Sequence, residues 1–449
     1  MKIKYLFANP AIFSVILFAF VSRGADITAL SSGNWSDTNI WNSGTVPGTN
    51  DDADIPGGID VTVDTNTVIQ YIYDSGTVTM GTNITLDVLT DATIDPATTL
   101  DTSATGNTVI YTGQAHNIKV QNYYNLVLNG VGTFWSGIYG STAMTIAGNM
   151  TLDGTASVQE GGDFTIAGNL IVGTNCAWDC SSYNYTVVSN TIINGLFTDG
   201  DGASGNDNFN NVTINPSGTL RILDSTNWYV FGNMTNNGGV IKGVKYASIN
   251  FNGTGVVTGT SINVPTLIIN GTYQIATTIN LATNTPTLNG TLVFDLANPG
   301  QFVLNPNAGS GPTFYYSGAL NVINSGATPA SGSSYQFFNA QSYGGSFATT
   351  SLPTLSGGLS WINNLSTGGS IAVSGGSSAG SPVIALSQNG NQLTLSWNSV
   401  AYPGYRVVAQ TNSAGIGANW SATGSGTNSP FTTTINPAGP PVFFRLSNP

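Results

Sequence analysis

The sequence predicts an all-β protein: a right-handed parallel β-helix, or solenoid, followed by a small antiparallel β-sandwich. Three observations carry that reading. Thr-Ile-Ala-Gly-Asn occurs at 145–149 and again at 165–169, and each copy runs into an apolar alternation, Met150 and Leu152 or Leu170 and Val172. Looser versions follow at 186–190, 211–215, 229–233 and 248–252. A short strand, a Gly or Asn corner and another short strand, repeated about every 20 residues, is the pattern of stacked coils, each covering the apolar face of the next. Next, Glu160 is the only glutamate among 21 acids; Glu favours helices and Asp favours turns, so few helices are expected. Lastly, charged residues make up only 7% of the chain, while 40% is hydrophobic and 10% aromatic. That is too much apolar surface for disorder, and uncharged Asn, Ser and Thr can stack strand on strand without repulsion.

The elements follow in order. Residues 1–24 read as a secretory signal peptide: Lys2 and Lys4, then an apolar run over 12–21, then small residues at the cleavage positions. That run is too short for a comfortable membrane span. Residues 25–100 read as an N-terminal cap and the first coils, because an open solenoid end would expose an unpaired strand row. Residues 101–373 read as the β-solenoid, its last part, from about 300, aromatic-rich and sealing the end. Residues 374–381, Gly- and Ser-rich, read as a flexible linker. In 382–449 the alternations Leu393, Leu395, Trp397 and Tyr405, Val407, Ala409 predict the sandwich. It has no Cys, which excludes an immunoglobulin-type disulfide.

Short motifs resemble those of secreted bacterial proteins built from autotransporter-associated β-strand repeats. They are Trp35 and Trp41 with Gly44 and Pro47, then Asp51, Asp52, Asp54 and Ile55; the Gly-Asn-hydrophobic corners; and the run from Gly332 to Phe338 with Gly345, Phe347, Leu352, Pro353, Gly358 and Trp361. The C-terminal unit is similar to a domain that ends related secreted proteins, through Leu393 to Trp397, Gly404 to Arg406, Gln410 to Asn412, Asn419 and Trp420, and Phe443 to Leu446. The resemblance implies an extracellular or cell-surface role without a defined ligand or catalytic set. The tail is too short for an outer-membrane barrel, so a passenger-like chain without a translocator barrel, exported by another route, is expected.

Candidate chemistry is sparse. Trp35, Trp41 and Trp420 have the chemistry to stack on sugar rings; for the first two the competing reading is that they plug the solenoid mouth. Calcium is the one metal considered. Asp199, Asp201 and Asp207 alternate in a Gly-rich loop, and Asp51, Asp52 and Asp54 form a second acidic run. Calcium takes oxygen ligands, but Ala203 interrupts the first set and no Glu closes it, so a solvated corner competes. Cys176 and Cys180 are the only cysteines; in an exported protein they predict a disulfide around a tiny corner loop. His116 is the only histidine and reads as structural. Lys119, Arg221, Lys242 and Lys245 are the only bases within the solenoid, few for a lyase acting on acidic sugars.

The expected function is therefore a secreted or cell-surface structural or adhesive solenoid, without catalytic activity and without a cofactor unless calcium binds. The alternatives are a carbohydrate-binding module protein and, further off, a polysaccharide lyase or hydrolase. Expected partners are surface or matrix glycans or proteins, with self-association through strand edges. A net charge of −12 argues against nucleic acid, and no transmembrane segment is expected once the signal is cleaved.

Overall fold

The computed structural model describes residues 24–448 apart from 90–93, 115–117, 137–142, 181–182, 199–205, 223–226, 244–247, 265, 282–284, 305–311, 375–381, 401, 412–414 and 424–428. Five expectations lie outside the described residues: the signal segment to residue 23, the Asp199–Asp201 pair, His116, Lys245, and most of the linker. Ser374, assigned to that linker, closes the strand Ser370–Ser374. The chain divides into two compact units, 1–292 and 293–449.

The first unit is a parallel β-solenoid. Its organisation is clearest as rows of aligned residues. One inward row reads Leu86, Val109, Leu126, Met150, Leu170, Thr191, Val212, Met234, Val257, Ile275, each in register with the next. Every member is essentially buried. Nine of the ten are apolar because strand side chains alternate and this parity always faces the interior. A second inward row runs Ile146, Ile166, Val187, Phe209, Val230, Phe251, Ile269, Leu288. A third face contributes Phe134, Val158, Trp178, Phe197, Leu220 and Ile241. Aromatic members meet inside: Trp178 packs edge-on against Phe164 and Tyr185, and Phe209 stacks on Trp228 with ring centres 4.2 Å apart.

The twenty-residue repeat has a direct structural meaning. Thr145 and Thr165 are register partners, so the two sequence copies are two successive coils. The Gly of the motif is required by close approach. A Cβ on Gly168 would lie 2.3 Å from the carbonyl oxygen of Gly148 in the coil before, so no larger residue turns that corner without displacing backbone.

Coiling begins early. The strands Asp26–Thr28, Asp52–Asp54 and Tyr71–Tyr73 form one parallel ladder, and Gly33–Asn34, Asp60–Val63, Thr77–Met80 and Thr99–Asp101 form another.

In the second unit, parallel pairing persists through Thr313–Tyr316 with Ser342–Gly345 and Ala319–Ile323 with Thr349–Ser351. It then gives way to antiparallel pairing among Ser334–Gln336, Ser360–Asn364 and Ser370–Ser374. Residues 385–447 form two three-stranded antiparallel sheets. Their inward residues Leu395, Trp397, Val407 and Phe431 make a single core, with Ile384, Phe444 and Leu446 against it. Among the described residues no helix is long and apolar enough to cross a membrane.

Candidate functional site

The polar residues of the solenoid corners are engaged with one another. One residue before the first inward row, Asn125, Asn149, Asn169, Asn190, Asn211 and Asn233 stand above each other. The amide oxygen of Asn125 accepts from the Asn149 backbone N–H (2.8 Å), that of Asn149 from Asn169, and that of Asn169 from the Asn190 side-chain amide at 2.7 Å. Asn211 then donates to Asn190, Asn233 to Asn211, and the backbone of Val256 to Asn233. Shorter ladders occupy other corners: Asn194, Asn215 and Asn237, and Asn252, Asn270 and Asn289. An amide is suited to this because it donates upward and accepts from below without charge. These residues hold coil to coil.

Trp35 and Trp41 are buried, at 1% and 2% exposure. They meet edge-on at 5.1 Å, and the Trp41 indole N–H donates to the Trp35 carbonyl. The turn between them, Thr38–Ile40, is capped by the Asp37 carboxylate accepting from the Asn39 backbone. The two rings thus occupy the interior, which leaves neither face open to a sugar. Beside them is a shallow cleft of about 390 Å³ between Trp35 and Ser36, Pro47 to Thr49, and Thr65 to Val68.

Trp420 sits in the second unit, half-buried, with the Arg445 guanidinium 4.4 Å from its ring centre. That cation covers one ring face. Arg445 also lines a cleft of about 570 Å³, together with Tyr405, Phe444 and Asn448.

The acidic candidates separate. Asp51 accepts from the backbone N–H groups of Ala25 and Gly48. Asp52 is buried. Asp54 accepts from the Thr28 hydroxyl at 3.1 Å; burial pushes its carboxyl above the usual range, the Thr28 bond opposes this, and the nearby Asp74 and Asp26 charges add to it. Asp207 departs from expectation. It is not in a solvated corner but in an inward row, between Tyr185 and Trp228, at 1% exposure. The loop alternation seen in the sequence continues there as strand parity, which turns this carboxylate inward. Among the described residues no group of three or more His, Cys, Asp or Glu side chains is placed to hold a metal ion.

The expected disulfide is also corrected. Cys176 and Cys180 are thiols, both buried, with no bond between the sulfurs. Residues Ala177–Asp179 form a strand, not a corner loop. An extended chain advances about 3.3 Å per residue, so the flanking Cα atoms stand roughly 13 Å apart, beyond the roughly 7 Å a disulfide spans. Burial raises the Cys176 thiol.

Lys119 is a clasp. Its ammonium donates to the carbonyls of Asp95 and Pro96 at 3.2 and 3.0 Å, and burial lowers its affinity for the proton against the pull of Asp95. Beside it, the buried Tyr111 and Tyr123 hydroxyls bond at 2.9 Å, and Tyr123 donates to the Lys119 carbonyl. Burial pushes Tyr111 up to about 12. The feature the sequence reading passed over is that Arg221 and Lys242 are register partners on neighbouring coils. Their 21-residue separation, one coil length, was the available signal.

No family model, curated protein or solved structure matches the chain.

Proposed function

We propose that this chain is a secreted or cell-surface solenoid with a structural or adhesive role and no catalytic activity, of the autotransporter-associated repeat type. The observation that carries this reading is the continuous Asn ladder from Asn125 to Val256. Its amides are occupied in joining coils, and the outward residues Thr145, Thr165 and Thr186, aligned on three successive strands, are small and uncharged. Such a surface offers a graded, extended contact and no convergent acid–base pair.

The purified chain should bind whole cells or matrix through many weak contacts. Single substitutions at Thr145, Thr165 or Thr186 should each change retention little, while replacing all three should reduce it. Complete loss from one substitution would refute an extended contact.

A second reading, carbohydrate recognition by the C-terminal sheets, is favoured by Trp420 and the cleft under Arg445. A glycan array with and without calcium tests it. Binding to one sugar class that disappears in Trp420→Ala supports this reading, and released product would favour a polysaccharide-degrading enzyme instead.

A further inference from the structure

We infer that Arg221 and Lys242 form a binding site for an acidic polysaccharide, one bearing carboxylate or sulfate groups. The two residues are direct register partners on adjacent parallel strands, Thr219–Ile222 and Val240–Gly243, and both are exposed. Strands in a sheet lie about 4.8 Å apart, and like charges directly opposite repel. The whole chain has nine Lys and Arg against 21 acids, so this juxtaposition is costly and unusual for this molecule. Among the described residues it is the one register pair of two bases, the acids Asp26 and Asp52 forming a like-charged pair elsewhere; its own row reads Gln159, Asp179 and Thr198 before it reaches Arg221. Among the described residues neither base has an ion-pair or hydrogen-bond partner in the protein.

The site also stands where the hydrogen-bonded ladder of this face breaks, although Ile262–Val264 still lies against Val240–Gly243. The ladder of this face finishes at Val240–Gly243, and the next strand on the chain's return to it, Ile262–Val264, belongs to a different sheet with Thr278–Leu281. Three of the four residues in that final strand are exposed, Val240 at 43%. The arrangement therefore combines a guanidinium able to grip an oxyanion in bidentate fashion, an ammonium one strand away, and an apolar Val240 beside Thr219 on which the C–H face of a sugar ring can rest. A broad anionic partner such as a membrane or a nucleic acid duplex would meet the acidic remainder of the chain. A thin linear polymer crossing this one face would not.

This deepens the surface role proposed above and takes its extracellular setting from it, but its test does not depend on cells. The full chain is passed over immobilised polygalacturonate, dextran sulfate and neutral dextran at low and moderate ionic strength, beside Arg221→Gln, Lys242→Gln, the double variant and Arg221→Lys. Circular dichroism confirms that the variants fold. Retention on polygalacturonate or dextran sulfate but not on dextran, falling about tenfold for each Gln variant and with added salt, and held in part by Arg221→Lys, is the expected result. The two charged resins separate carboxylate from sulfate preference. No retention of the unsubstituted chain, equal retention on neutral dextran, or undiminished retention of the double variant each overturns the proposal. Loss of cell binding with intact polyanion binding would instead count against the adhesive reading alone.

Discussion

The coils from 125 to 256 and the aromatic region of the second unit solve the same problem differently. In the coils, each turn repeats its neighbour, so most inward positions are Leu, Val, Ile or Met, the aromatics from Phe164 to Trp228 follow one another from coil to coil, and the corners are closed by amides. In the second unit, Phe302, Phe314, Tyr316, Phe338 and Phe347 converge on one another, with Phe302 and Phe338 stacked at 5.8 Å. The Tyr316 hydroxyl donates to the Leu365 carbonyl beneath the helix Leu365–Gly368. There pairing switches from parallel to antiparallel. A repeat distributes stability over many equivalent interfaces. A region without repeats gathers its large side chains around one another instead of passing them from coil to coil.

The largest expected effects break each core. Trp178→Ala and Phe338→Ala should each cost about 3–5 kcal/mol. If the comparison holds, hydrogen exchange in Trp178→Ala speeds up mainly in the adjoining coils around Phe164, Tyr185 and Phe197, whereas Phe338→Ala loosens its whole aromatic cluster. Uniform loss of protection through the first unit in Trp178→Ala would show that the coils are not near-neighbour units.

A smaller effect is expected at the ladder. Asn190→Ala removes the donor to Asn169 and the acceptor from Asn211, and should cost about 1–3 kcal/mol in urea unfolding. Thr165→Ala, outward and exposed, should stay within about 0.5 kcal/mol. Equal costs would mean that the ladder contributes nothing beyond any surface residue.

Next is a pH effect. The Asp54 carboxyl binds its proton more tightly in the folded than in the unfolded chain, chiefly through burial. Its ionisation therefore lowers stability as pH rises from the ordinary carboxylate range through the raised folded value, and protonation restores it. Asp54→Asn should accordingly raise Tm at pH 7 and leave it unchanged near pH 3, where both states are protonated. A lower Tm at pH 7 would point to a stabilising role for the charge. The smallest effect concerns the cysteines: because no bond joins Cys176 and Cys180, reductant should shift Tm by less than about 1 °C, compared with the larger loss expected on opening a real disulfide.

Legibility in the sequence follows the same division. The Thr145 and Thr165 copies could be aligned by eye because one coil length separates identical roles, and the structure sets them side by side. Asn149 and Asn169 were readable as corners for the same reason. The site was far less legible. Trp35 and Trp41 have the chemistry of a sugar platform, but the alternative read from the sequence, that such large rings plug the solenoid, is the one their 1% and 2% exposure bears out. Asp207 read as loop chemistry because its neighbours at 199–205 are Gly-rich, yet its strand parity places it between Tyr185 and Trp228.

By itself, then, the sequence determined the period, the all-β class and the uncharged corners, since these follow from local alternation and from residue types that recur at a fixed interval. Tertiary structure alone decided which parity faces inward at Asp207, that Cys176 and Cys180 lie at opposite ends of a strand, and that Arg221 and Lys242 fall in register. Those outcomes depend on the register between strands about 20 residues apart, and a shift of a single residue would turn every one of these side chains to the other face.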